Sequence, residues 1–393
     1  MIIILPELVK RQTHGIHKFP TLIAAQHMRD VDAEKEPPFV RLPNEMIAKI
    51  LSYIPHKQMM TSVSIVCKKF RQITCEDHLL LTDLEIGISS FSPKFEEQSK
   101  KYIQILNAAK RLRYLTIHVN DRLCGMLKAV GNNARNLRGL KILYSTGNFI
   151  SFKEKEECST HLISIAQNCK QLKELRLLIN CSFYTMDLIK QMLIFRQDTL
   201  KTLEIDSFEL NTDVFRNISK CKQLEELKLP QFMRLSKSCF LALNTKFANL
   251  KVLELCIRRL SDEYLVQGFS KCTSLEDLTL HQANKMAGDG IKALCKISTI
   301  KRLHISINSR GFLTDRDWYA AFVDGHLDNM EKLELTGYID MNDYSVLDIV
   351  KRYSKLKSLK MEGVNNVGVE CFKHLCTKFP YLRPLKINFA YKL

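Results

Sequence analysis

The chain has 393 residues, 46% hydrophobic and 26% charged, as in ordinary soluble globular proteins, which excludes wholesale disorder and collagen-like or low-complexity sequence. Lys and Arg outnumber Asp and Glu by 59 to 42, a formal net charge of +17, so nucleic acid and anionic membrane surfaces enter as candidate partners. The 13 cysteines are odd in number and scattered, with no Cys-x-x-Cys, unlike a disulfide framework. From the N-terminus, Met1–Leu5 is apolar but stops at Pro6 with its basic residues after it, too short and wrongly flanked for a secretory signal. No other run approaches the roughly 18 apolar residues of a membrane span. The expectation is an intracellular chain, cytoplasmic or nuclear, with no membrane partner. Residues 1–38, punctuated by Pro6, Pro20, Pro37 and Pro38, read as a flexible lead.

Residues 39–80 read as a small helical unit. Pro43 suits the first turn of a helix and Pro55 ends it. Between them Met46, Ile47, Ile50, Leu51 and Ile54 make one apolar stripe at helical spacing; Met59, Met60, Val63, Val66, Cys67, Phe70 and Ile73 make a second. The landmarks Leu42-Pro43-x-Glu45, Ile50-Leu51-x-Tyr53-Ile54-Pro55 and Val66-Cys67-Lys68-Lys69-Phe70 together resemble an F-box. Gln58-Met59 departs from that family's usual acidic residue and Leu, and Phe70 stands where many members have Trp. The resemblance implies docking on the Skp adaptor and, through it, on the cullin and RING subunits of an SCF-type ubiquitin ligase. Carried over by motif, Leu42, Pro43, Ile47, Ile50, Leu51, Ile54 and Val66 form the adaptor contact. The alternative is that these helices only cap a solenoid.

Residues 81–393 are periodic. An apolar-x-x-apolar-x-apolar hexad starts at Leu112, Leu137, Leu172, Leu200, Leu224, Leu250, Leu275, Ile300, Met330, Leu356 and Leu382, with a twelfth copy at Leu81. Most copies are 24–30 residues apart, and the stretch from Leu137 to Leu172 is 35. Each hexad predicts a short strand whose fourth and sixth residues point inward. Helix-start chemistry follows, as at Ser261-Asp262 and Thr314-Asp315. Strand, turn and helix at this period is the leucine-rich-repeat unit, predicting an α/β solenoid of about 11–12 repeats with parallel strands on the concave face and helices on the convex one. Cys169, Cys221 and Cys272, three residues before their hexads, read as small core hydrophobes and resemble the cysteine-containing class of such repeats. The extra length of two repeats is assigned to loops at Ser145–Ser159 and Asn308–Asp317, and Trp318 to helix packing.

The chain carries no P-loop, G-x-G-x-x-G, H-E-x-x-H or G-x-S-x-G. Cys371, His374 and Cys376 lack a fourth metal ligand and read as filler. No catalytic residue, metal or cofactor is expected. The third and fifth hexad residues and the one after it should face the binding surface, carrying eight acids against seven bases. In its middle Glu204, Asp206, Glu226, Glu254 and Asp277 face Lys228 alone, predicting a patch that receives a basic segment of an unknown substrate protein. The second hexad residue is basic in eight of eleven repeats and acidic in three, a positive rail suited to an acidic or phosphorylated partner. The favoured function is the substrate-recognition subunit of an SCF-type ligase, itself non-catalytic. A non-ligase interaction scaffold is the alternative, and nucleic-acid binding, motivated by charge alone, comes third.

Overall fold

The computed structural model describes residues 39, 41–51, 53–54, 63, 66–73, 82–87, 95–109, 111–119, 123–144, 152–178, 186–206, 210–230, 235–242, 248–309 and 312–389. The lead at 1–38, the break at Pro55, the Gln58-Met59 departure and residues 145–151 of the expected loop lie outside them. Internal contacts divide the chain into two compact units, Met1–Leu80 and Leu81–Leu393.

In the first unit, Pro43 starts helix α1 (Asn44–Leu51), its carbonyl accepting the amides of Met46 at 3.0 Å and Ile47 at 3.1 Å. The apolar stripe turns Ile47, Ala48 and Leu51 into a core completed by Ile73, with Phe39, Leu42, Ile54, Val63 and Phe70 packed against it. Helix α2 (Lys68–Arg71) begins at Cys67, whose Sγ accepts the Phe70 amide at 3.4 Å. Lys69 Nζ donates to the Leu42 carbonyl at 3.0 Å, and the Phe70 ring meets Phe39 edge-on at 5.6 Å. These contacts join the first and last sequence landmarks in space.

The second unit is one parallel sheet of twelve strands in chain order. They are β1 (Asp83–Gly87), β2 (Tyr114–Val119), β3 (Gly139–Tyr144), β4 (Glu174–Leu178), β5 (Thr202–Ile205), β6 (Glu226–Leu229), β7 (Val252–Cys256), β8 (Asp277–His281), β9 (Arg302–Ile307), β10 (Lys332–Asn342), β11 (Ser358–Asn366) and β12 (Leu385–Phe389). A helix follows each strand but the last, from α3 (Phe95–Ala108) to α13 (Val369–Lys378), each packed on its neighbour. The twelfth hexad, at Leu81, is therefore a real repeat. The fourth hexad residue is buried from Leu84 to Leu359, Leu203, Leu227, Leu253 and Leu278 among them, and half-buried at the last copy, Leu385. Each such leucine contributes roughly 1.5–3 kcal/mol, so one column of identical contacts runs the length of the sheet. Cys169, Cys221 and Cys272 sit in this core, their thiols donating to carbonyls at 3.1, 3.6 and 3.7 Å. Trp318 is fully buried against Phe322.

Two local readings are corrected. Ser261 precedes a helix, but its side chain makes no cap bond, and Asp262 turns to the Ala287 amide of the next repeat at 2.7 Å. Asp315 likewise reaches the Asn342 amide at 2.8 Å and Asp343 the Gly368 amide at 2.7 Å. These carboxylates serve a ladder between repeats, satisfying amides that would otherwise lack a partner; at the second of these helix starts Thr314 and Asp317 form a capping box. The second correction concerns the long repeat after Leu137. Much of its extra length is helix, because α5 spans Phe152–Asn168, 17 residues, so residues 152–159 are not loop.

Candidate functional site

The seven nominated adaptor-contact residues do not share one environment. Ile47 and Leu51 are 0% and 1% exposed, packed in the first unit's own core. Pro43 and Val66 are exposed, and Leu42, Ile50 and Ile54 half-buried. Met46 and Tyr53 are also exposed, at 52% and 84%. A helical unit this small that leaves Met46, Tyr53 and Val66 in water has apolar surface available for docking.

The open face of the second unit carries the predicted parity: β4 and β8 alternate half-buried and buried residues, and Thr202, Glu204 and Asp206 share one side. Strand register sets Arg176 beside Glu204, and Glu204 beside Lys228. Arg176 Nη1 donates to Glu204 Oε2 at 2.8 Å, while Nη1 and Nη2 grip the two Glu226 oxygens at 3.2 Å each. Lys228 Nζ reaches Glu226 Oε1 at 3.0 Å, and Thr202 Oγ1 donates to Glu226 Oε2 at 3.2 Å. Further along, His281 Nε2 meets Glu254 at 2.8 Å and Arg302 Nε meets Asp277 at 2.8 Å.

The expected uncompensated acidic patch is thus corrected. Arg176 comes from the repeat before the four acidic ones and Arg302 from the repeat after, and His281 adds a donor that a count of Lys and Arg passes over. Asp206 alone among the five acids pairs with no cation among the described residues. Burial, and then the neighbouring Glu204, push its carboxyl above the ordinary value. Glu226 goes the other way: burial opposes its charge, but Lys228 and Arg176 hold it below the usual carboxylate range. Burial lowers His304, which stands edge-on to His281 at 5.8 Å. Arg176 is one of the seven bases the parity placed on this face; register across neighbouring repeats was the signal that could have paired it with Glu204 and Glu226, and a linear sequence shows that only once the hexads are aligned.

No group of three or more His, Cys, Asp or Glu among the described residues is placed to hold a metal. Cys371 is buried while His374 and Cys376 are exposed, so the three face different surroundings. No helix among the described residues is long and apolar enough to cross a membrane.

Residues 39–82 match the F-box-like family. The chain carries an F-box-like domain. No curated protein sequence matches the chain. Among solved structures, the yeast complex of Rad7 and Elc1 resembles it over 88% of this chain and 88% of that one, with a TM-score of 0.54 and 15% identity. At that identity the likeness concerns the fold: strands and helices alternating along one repeat sheet. The Drosophila Toll–Spatzle complex overlaps 79% of this chain and 44% of that one at 11% identity, with a TM-score of 0.39. An F-box-like domain followed by a leucine-rich-repeat solenoid is the architecture.

Proposed function

We propose that this chain is the substrate receptor of an SCF-type ubiquitin ligase. Its F-box-like domain docks on a Skp-type adaptor, and its solenoid holds the protein to be ubiquitinated. The observation that carries the reading is the F-box-like domain at 39–82 joined to a repeat solenoid. The resemblance to Rad7, solved in complex with Elc1, is consistent with a partner-bound chain of this build. The contribution is proximity: holding a lysine of the bound protein near the ubiquitin-charged enzyme raises their effective concentration, the bond-making groups belonging to the partners. The exposed and half-buried members Leu42, Pro43, Ile50, Ile54 and Val66 make the adaptor contact, with Ile47 and Leu51 supporting them from beneath. For the substrate, Asp206 leads the proposed acidic contact, with Glu204, Glu226, Glu254 and Asp277 around it. The complex works in cytoplasm or nucleus.

Affinity capture of the full chain from cells tests the assembly. Skp, cullin and RING subunits are expected with the native chain and lost with Ile50→Asp plus Val66→Asp, positions that lie outside the buried core. Capture of none of the three by the native chain would favour a scaffold without a ligase link.

A further inference from the structure

The second residue of each hexad forms a column at the edge where the strands begin, and backbone bonds fix it in register. The Arg138 amide donates to the Arg113 carbonyl at 2.6 Å, Lys173 to Arg138 at 2.7 Å, and Lys201 to Lys173 at 2.7 Å. From Lys201 to Lys357 the column is bridged by its own glutamates. Glu225 bridges Lys201 and Lys251 at 2.8 Å each, Glu276 takes Lys301 at 2.9 Å, and Glu331 takes Lys357 at 2.8 Å.

Before Lys201 there is no such glutamate. Arg113, Arg138 and Lys173 occupy the column, and Arg111, Arg135 and Lys170 stand two or three residues earlier in the same three turns. Five of the six are exposed and Arg138 is half-buried. Among the described residues none makes an ion pair, and Arg138 has only Gln171 as a side-chain partner, at 3.4 Å. Asp83 and Glu174, each one position further along its strand, pair with none of them. Like charges on strands about 4.8 Å apart repel, and here no carboxylate among the described residues offsets them.

We propose that this basic edge of β2–β4 is a docking surface for an acidic segment of a partner protein, distinct from the charge-balanced open face. The rest of the column shows how a carboxylate sits in such a row: Glu225 lies between the cations of the repeats on either side. An extended segment brings same-side residues about 6.6 Å apart, so alternate Asp or Glu side chains can settle between Arg113 and Arg138 and between Arg138 and Lys173. The compactness of the patch favours a protein segment over nucleic acid. Three strands span roughly 10 Å, room for two or three anionic groups, and the track ends where Glu225 has already claimed Lys201 and Lys251.

The test is fluorescence anisotropy of a labelled ten-residue peptide of alternating Glu and Ser on the purified full chain, without adaptor, so that the outcome is independent of ligase assembly. Binding that weakens with added salt and falls at least tenfold in Arg113→Glu plus Arg138→Glu plus Lys173→Glu is expected. Lys251→Glu plus Lys357→Glu, at the self-neutralised part of the column, should leave it within twofold. Equal losses in the two variants would overturn the proposal in favour of a nonspecific charge effect, as would no binding by the native chain. A single-stranded RNA of equal charge that binds tighter than the peptide, and loses binding in the triple variant, would reassign the surface to nucleic acid.

Discussion

At the scale of single residues, the open face is a balance of charges rather than a bare acidic patch. Arg176 ties two glutamates that would otherwise repel, and Asp206 stands beside the cluster with no cation partner among the described residues. The two carboxylates therefore depend on pH with opposite signs. A carboxyl whose folded value is raised, as at Asp206, contributes stability below its unfolded value and loses it as pH rises through the folded one. Asp206→Asn should raise the thermal midpoint at pH 7, with no gain at pH 3. Glu226 is lowered, so its contribution is present above the unfolded value, about 4.3, and disappears as pH falls. Glu226→Gln should lower the midpoint at pH 7, and by less at pH 3. Paired melts of the two variants at both pH values check the signs. Asp206→Asn is also the clean probe of substrate contact, since charge reversal at Glu204 or Glu226 would strand Arg176. The residue types on this face were legible in the sequence; their pairing was not, because Arg176 and Glu226 are fifty positions apart and meet only through strand register.

At the scale of elements, the hexads announced all twelve strands, because a parallel repeat sheet enforces the same inward positions in every copy. Where the strands end was not legible. β10 and β11 run to 11 and 9 residues, past Gly337 and Gly363, both at positive φ. A Cβ at Gly337 would fall against the Ile307 carbonyl oxygen, and one at Gly363 against the Gly337 carbonyl. Backbone from three repeats therefore closes up around two glycines that the hexad pattern does not mark. Gly337→Ala should destabilise the solenoid by about 1–3 kcal/mol, the cost of a forced backbone conformation. Gly368→Ala, at ordinary φ with its nearest neighbour at 3.4 Å, should be near neutral. Chemical denaturation of the two variants measures the difference. Helix starts misled for a related reason: Asp262 and Asp315 look like capping residues, and whether an Asp caps its own helix or serves the next repeat's backbone depends on a neighbour 25 or more residues on.

At the scale of the whole molecule, the +17 charge is not spread evenly over the possible binding surfaces. On the open face acids and bases interlock, and most of the column at the strand starts is bridged by its own glutamates. Apart from Arg383 at the far end, what stays unbridged in that column among the described residues gathers over β2–β4, which turns a general basic excess into one local surface. The F-box resemblance was legible because its landmarks are local in sequence. The division of those landmarks between core and surface was not, since Ile47 and Ile50 lie on the same short stripe and only packing buries the first. The central claim is that the F-box-like domain docks on an adaptor through its exposed members. Isothermal titration of a purified Skp-type adaptor into the full chain tests this most directly. Saturable one-to-one binding is predicted, weakened at least tenfold by Pro43→Ala plus Val66→Asp with the melting curve unchanged. Absence of binding by the native chain, or equal affinity in the variant, would contradict it.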